Sequence, residues 1–439
     1  MRKLLLALLV VAVMAMPAFA SVQNIKVSGS IDSAAVYREN FELGLNSSAT
    51  RDEVQNLFLT ITKVGIDADL TDNVAATVEL INERAWGVDN ATHGEVDVNL
   101  AYVTLREMLY SPLTVVIGRQ KIVWGNALII GANYTIDSAV TAMARDLSQQ
   151  AGFDAIKIVL DYNPLTIQGI FSRITDTQPT LHTDEKSDVN LYGINATYEI
   201  GDDMDSVVEA YVIKQVDHTT DDSDGDEILV KGIRGSMNPI EGLNLQAEVA
   251  LQTGTFVSAA NTHATRKAKA VQLMSNYKIP ALEDYNPVVA YTFSYFSGDE
   301  NSTVTASDYT AWNSMYNNDN AGKIYDALFD ESNLIIHELA LSANPMEDVT
   351  ATLTYAKLYT ADGDAGTIQL QQTDSGDLTR NVNTGTHSLG QEIDADVIYD
   401  YTEDVQILGT VGFFKPGDVF NYDDRTPAKQ VMVRVNVGF

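Results

Sequence analysis

The chain has 439 residues and no cysteine, and its 60 acidic against 28 basic side chains give a formal charge of −32. Disulfides, thiolate metal sites and cysteine nucleophiles are thereby excluded. So is nucleic acid as a partner, because phosphate binding needs clustered Lys and Arg.

Arg2 and Lys3 precede an apolar run from Leu4 to Met16, and Pro17-Ala18-Phe19-Ala20 closes it with a small-x-small pattern. This reads as a secretory signal peptide over residues 1–20, cut after Ala20. The apolar run falls short of the roughly 20 residues a helical span needs, and no Cys follows it as a lipid-anchored protein would require. Loss of Arg2 and Lys3 takes the charge from −32 to −34. No Pro- or Ser-rich linker interrupts residues 21–439, which read as one unit.

That unit alternates with period two almost throughout. In "LNLQAEVALQ" Leu243, Leu245, Ala247, Val249 and Leu251 oppose Asn244, Gln246, Glu248 and Gln252, and "VTATLTYAKLY" and "NLYGINATYEI" do likewise. Such alternation marks strands with one apolar face. Strands are expected to begin near residues 24, 53, 73, 95, 113, 153, 164, 188, 204, 226, 242, 267, 286, 333, 349, 388, 403 and 428. Changes of apolar face within 54–69 and 228–237 suggest bulges. Tight connections such as "DYNP" (Asp161–Pro164), "GDDMD" (Gly201–Asp205) and "NPMED" (Asn344–Asp348) alternate with long polar ones, among them 124–152, 297–332 and 361–387. The closing "VMVRVNVGF" puts Val431, Val433, Val435, Val437 and Phe439 on one face. Tyrosines near strand ends, including Tyr37, Tyr110, Tyr162, Tyr198 and Tyr401, fit interfacial girdles. The expected fold is all-β: a single antiparallel transmembrane β-barrel of about 18 strands, with short periplasmic turns and long extracellular loops. The competing reading is a secreted β-sandwich or β-helix, which leaves the short–long rhythm unexplained.

With the apolar alternate facing lipid, the lumen candidates include Lys26, Lys157 and Arg434, and among the acids Asp32, Glu79, Glu209, Glu248, Glu338, Glu392, Asp394 and Asp396. Arg119 and Lys121, two apart, join them if their strand keeps phase. With Lys157 they form a ladder suited to anions, or they pair with carboxylates such as Asp154 and Glu392 and stiffen the wall. "EIDAD" sets Glu392, Asp394 and Asp396 on one face, as a cation-selective ring or as lumen lining that neutralises bases. Ile136–Gln150 has a short helical look, with Arg145 pointing back towards the pore, so that 124–152 folds inward as a constriction or makes a surface excursion. The aromatic 297–332 connection is the second such segment. The Asp- and Gly-rich "HTTDDSDGDE" and "ADGDAG" do not match a calcium-loop spacing. They read as solvated loops bridged by divalent ions to lipopolysaccharide phosphates, with no dedicated metal and no cofactor. The scattered histidines and the absence of G-x-S-x-G argue against an enzyme.

"VVIGRQKIVWGNALIIGANY" (Val115–Tyr134), "FDAIKI" (Phe153–Ile158), "LGQEIDADVIYDY" (Leu389–Tyr401) and "GFFKPGD" (Gly412–Asp418) resemble the alginate-export family of outer-membrane barrels. The resemblance implies an eighteen-stranded pore for an anionic polysaccharide, with a lumen lined by Arg and Lys. It also implies that Phe439 is the aromatic end that barrel-assembly machinery recognises. The expectation is an outer-membrane channel, embedded in lipid and lipopolysaccharide, for a hydrophilic, anionic saccharide-like solute. The alternative is a plugged structural or surface-binding barrel without transport.

Overall fold

The computed structural model describes residues 24–41, 43, 54–87, 96–131, 145–176, 188–218, 225–258, 262–299, 308–318, 322–363, 367–370, 378–381, 383, 385–420 and 425–439. The expected leader, residues 1–20, and most of the helical-looking stretch 136–150 lie outside the described residues.

The strands in chain order are β1 (Asn24–Glu39), β2 (Val54–Thr71), β3 (Val74–Ala85), β4 (Asp97–Arg106), β5 (Leu113–Gln120), β6 (Phe153–Asp161) and β7 (Leu165–Asp176). They continue with β8 (Asp188–Glu199), β9 (Val207–Asp217), β10 (Asp226–Ile240), β11 (Leu243–Val257), β12 (His263–Lys278) and β13 (Val288–Phe296). The two-residue β14 (Asp308–Tyr309) precedes β15 (Leu334–Met346) and β16 (Val349–Tyr359), and β17 (Thr367–Leu370) pairs only with β18 (Leu378–Asn381). The last three are β19 (Ser388–Thr402), β20 (Val405–Pro416) and β21 (Ala428–Gly438). Leaving out β14, β17 and β18, the other strands form a closed antiparallel barrel of 18, each pairing with the next and β21 with β1. The start of every barrel strand falls within a few residues of its sequence expectation.

The alternation has the expected sense. On β21 Val431, Val433 and Val435 are exposed to the surroundings of the barrel, whereas Gln430 and Met432 are buried inside. On β9 exposed Val208 and Val212 alternate with buried Glu209, Tyr211 and Ile213. Lipid covers the first set, and a closed ladder leaves no backbone edge for it to meet. Tyr37, Tyr110, Tyr162, Tyr198, Tyr285 and Tyr401 are exposed at strand ends, as girdles require. In the Gly201–Asp205 turn the Asp202 carboxylate accepts from the Ser206 and Met204 amides at 2.9 and 3.2 Å, which holds it below the usual carboxylate range.

The bulges expected inside 54–69 and 228–237 are absent. β2 pairs with β1 without a break from Val54 to Asp69, and the register shifts in these strands come at Asp69/Thr71 and Met237/Ile240, next to the short turns. The change of apolar face has another cause. Towards the long connections the inward side chains are themselves apolar: Leu59 and Ile61 on β2, Ile228 and Val230 on β10. They pack against segments folded into the barrel.

The β1–β21 seam runs from Glu39↔Lys429 to Ser30↔Gly438 and ends in reciprocal bonds between Gly29 and Phe439, at 2.8 and 3.0 Å. The Phe439 ring lies over Gly29, where a Cβ would sit 2.5 Å from the ring and 2.8 Å from the Lys63 carbonyl oxygen. Glycine is therefore required here by close approach. Gly29→Val should destabilise the seam by about 1–3 kcal/mol through overpacking. The check is the folded fraction by heat-modifiable gel mobility against denaturant; an unchanged midpoint would show that the seam tolerates a side chain.

Candidate functional site

Two connections enter the barrel, and wall carboxylates hold both by their main chain. The first leaves β5 at Gln120. Its tip, Gly125-Asn126, reaches the wall made by β8–β12. The Gly125 amide donates to Glu209 Oε1 at 2.9 Å and the Asn126 amide to Glu248 Oε2 at 2.8 Å. Gly125 has φ +61°, and a Cβ there would lie 2.5 Å from Glu248 Oε1, so the clasp depends on glycine. Asn126 Nδ2 donates to Gln272 Oε1 (3.2 Å), and Arg234 Nε donates to Asn126 Oδ1 (2.5 Å). Arg234 also lies 3.6 Å from Glu209 Oε2, while Tyr211 Oη donates to Glu248 at 2.6 Å. Behind the tip Trp124, Leu128, Ile129 and Ile130 are buried against inward Ile170, Leu191 and Ile213.

The second segment lies between β13 and β15. Glu392 on β19 accepts three consecutive amides: Lys323 and Ile324 on Oε1, both at 2.9 Å, and Tyr325 on Oε2 at 2.7 Å. The Tyr325 hydroxyl donates to Glu338 on β15 at 2.9 Å. Burial first, then the charges of Glu338 and Glu392, push that phenol upward, so it remains a donor. The segments also hold each other. Gly131 N donates to Tyr316 O (2.7 Å), Tyr316 N to Ile129 O (3.0 Å) and Asn318 N to Ala127 O (3.0 Å).

A third clasp fixes the return to β6. Glu83 accepts from the Gln149 amide at 2.6 Å and from Ser148 Oγ at 2.9 Å, and Arg38 forms a buried ion pair with Asp146. Unpaired amides inside the barrel would be costly, and a carboxylate with two oxygens satisfies several at once. Nearer the short turns the inward wall is hydroxyl- and amide-rich. Gln246 donates to Asn244 at 2.8 Å, Asn344 to Thr350 at 2.8 Å and Thr352 to Ser342 at 3.0 Å.

The structure separates the residues singled out from sequence. Arg119 and Lys121 do not share a lumen face. The strand ends at Gln120, and Arg119 sits on the side of exposed Ile117, 3.4 Å from Asp154, whose side chain is 63% exposed on the outer wall. The local cause is ambiguous parity: Val115 and Val116 are both apolar and both buried, so alternation does not mark the lumen side. Lys121 lies past the strand end and is exposed. Lys157 is inward on β6, alternating with exposed Ile156 and Ile158. Arg434 is inward and lies 3.3 Å from Asp32. Glu248, Glu392 and Asp394 are inward and almost fully buried, and Glu248 and Glu392 are anchors. The backbone of Arg145 forms a 3-10 turn with Asp146 and Leu147, and its side chain lies outside the described residues. Residues 297–299, 308–318 and 322–332 contribute Trp312, Tyr316 and Tyr325 as buried or half-buried packing. Among the described residues no cluster of acids and histidines is arranged to hold a metal.

Sequence reasoning passed over Asn126, Glu83, Arg38 and Arg234. Glu83 was detectable by its parity with the lumen candidate Glu79, Arg234 by its alternation with exposed Ile233, and Gly125-Asn126 as a turn dipeptide.

A closed barrel of this size with connections folded into its lumen is the architecture of an outer-membrane porin. The chain belongs to the alginate export family, whose model matches residues 25–434. No curated protein matches it in sequence. Among solved structures it is similar to three from Pseudomonas aeruginosa. OccK8 (OprE) superposes with TM-score 0.60 at 9% identity, over 96% of this chain and 99% of that one. OccK2 (OpdF) in complex with glucuronate gives 0.54 at 10%, over 96% and 98%. OpdK with vanillate gives 0.57 at 10%, over 95% and 99%. Family and fold are those of channels, not enzymes.

Glu392→Ala orphans three amides, at about 1–3 kcal/mol each, and should release the 322–329 segment while the strands stay paired. Single-channel recording should show higher conductance and a larger polymer exclusion limit, with the barrel's circular dichroism unchanged. Wild-type conductance in a folded variant would mean that the segment is held by its packing alone.

Proposed function

We propose that this outer-membrane channel favours small anionic hydrophilic solutes, of the size and charge of a sugar acid, and that Lys121 and Lys157 supply the attraction. The supporting observation is which charges are already engaged. Inward Arg38, Arg234 and Arg434 face Asp146, Glu209 and Asp32. Glu83, Glu248 and Glu392 are occupied by main-chain amides. Lys121 and Lys157, by contrast, form no ion pair with a described carboxylate. Lys157 is half-buried on the lumen wall, where an uncompensated ammonium attracts anions more strongly than an exposed one, because the low-dielectric surroundings screen it less. That two similar barrels were solved with glucuronate and with vanillate, both carboxylates, agrees with this reading.

The packed segments favour a small solute over a polysaccharide chain, since Trp124, Leu128, Ile130 and Leu328 form an apolar mass within the barrel. The same mass is what favours the second reading, a plugged barrel without transport. Residues 1–20 serve as the export leader in either case, and Phe439 as the feature that barrel-assembly machinery engages.

The test is the reversal potential of the refolded protein in a planar bilayer under a salt gradient. Anion preference is expected in the wild type, reduced in Lys121→Gln and Lys157→Gln and most in the pair, with Arg119→Gln unchanged because that side chain faces outward. Cation preference in the wild type, or equal effects of all three substitutions, would discard the assignment. No conductance at all would select the plugged reading.

A further inference from the structure

The outer wall of the barrel is electrically lopsided. Towards the short turns its outward positions carry no charged side chain among the described residues of the barrel strands. At the long-connection ends, lysines replace the apolar alternates. Lys231 follows the parity of exposed Ile233, Lys269 that of Leu273, Lys357 that of Leu353 and Tyr355, and Lys415 that of Val411 and Phe413. The intervening Val230, Ala270, Ala356 and Phe414 are buried inside. In a chain of charge −32, four such cations on the outer wall stand out.

Their neighbours leave them available. Lys267 and Lys429, close by, are paired with Asp308 and Glu39 at 2.8 and 3.2 Å. The four lysines form no ion pair with a described carboxylate. Instead Lys269 and Lys357 lie over the rings of Tyr295 and Tyr359, at 5.7 and 5.6 Å. The ladder arranges them in pairs. Lys231 and Lys269 both oppose Leu251, and Lys357 and Lys415 both oppose Gln391. Each pair is two strands apart, about 9–10 Å at strand spacing.

We propose that Lys231, Lys269, Lys357 and Lys415 form an arc that binds the phosphate groups of lipopolysaccharide in the outer leaflet. This rests on the outer-membrane placement and not on the nature of the solute. An ammonium just above an apolar band lies at headgroup level, where anionic lipid is its natural counter-charge. The tyrosine rings extend the apolar band and carry the amphipathic lysine stems to its edge. A second copy of the chain presenting the same face would meet like charge.

The experiment compares the thermal unfolding midpoint of the refolded protein in phosphatidylcholine vesicles with and without lipopolysaccharide. The expected result is a rise in the wild type that falls roughly in proportion to the charges removed in Lys231→Gln/Lys269→Gln/Lys357→Gln/Lys415→Gln, and that is absent with dephosphorylated lipopolysaccharide. An equal rise in the variant, or with the dephosphorylated lipid, overturns the proposal. Should the fourfold variant not fold, Lys357→Gln/Lys415→Gln is measured in the same way, with a partial loss expected and an unchanged rise overturning the assignment. Conductance recorded in the same vesicles reports on the channel reading separately.

Discussion

The interior of this barrel depends on carboxylates accepting hydrogen bonds from main-chain amides. The strands satisfy their own backbone in the ladder, but a connection folded into the lumen leaves that ladder behind and arrives with unpaired N–H groups. Glu209 and Glu248 receive the Gly125–Asn126 tip, Glu392 receives Lys323 to Tyr325, and Glu83 receives Gln149. Each anchor is a rigid wall position, so the placement of the irregular segments follows from the strand register.

This changes the meaning of the strongly acidic composition. Acids on the inward face would ordinarily imply a pore that attracts cations. Here Glu83, Glu209, Glu248 and Glu392 accept main-chain amides and Asp32 faces Arg434, and the local field belongs to the groups left over. A count of charged side chains therefore describes the interior poorly. The outer wall follows the opposite logic, with its charge confined to one rim and its middle uncharged.

The barrel was legible in the sequence because lipid enforces alternation along every strand, and each start could be placed from period and turn chemistry. Alternation failed as a guide where the inward face is also apolar. Ile228 and Val230 mimicked a bulge because they pack against segments that local pattern cannot reveal, and adjacent apolar Val115 and Val116 made the side taken by Arg119 ambiguous. The lumen faces of Glu248 and Glu392 were legible, but their role was not. The main-chain partner of Glu248 lies 122 residues earlier, and those of Glu392 67 to 69 residues earlier, and all are amides with no side-chain signature. The pairing of Lys121 with Arg119 failed for a simpler reason: the strand stops between them.

The seam between β1 and β21 has a consequence for the order of assembly. It joins residues some 390 apart, as in the Arg38–Gln430 contact. The entropy of so large a loop grows only logarithmically, so closure costs little more at equilibrium than closing a short one. In time the cost is greater. Contacts of such separation form late, and until this one forms the growing sheet has two open edges. The inward segments must therefore find their glutamates on a sheet still open, or be trapped outside when it shuts. A barrel that closes around its own connections passes through an unfinished sheet, and the contact between its first and last strands is the last to form.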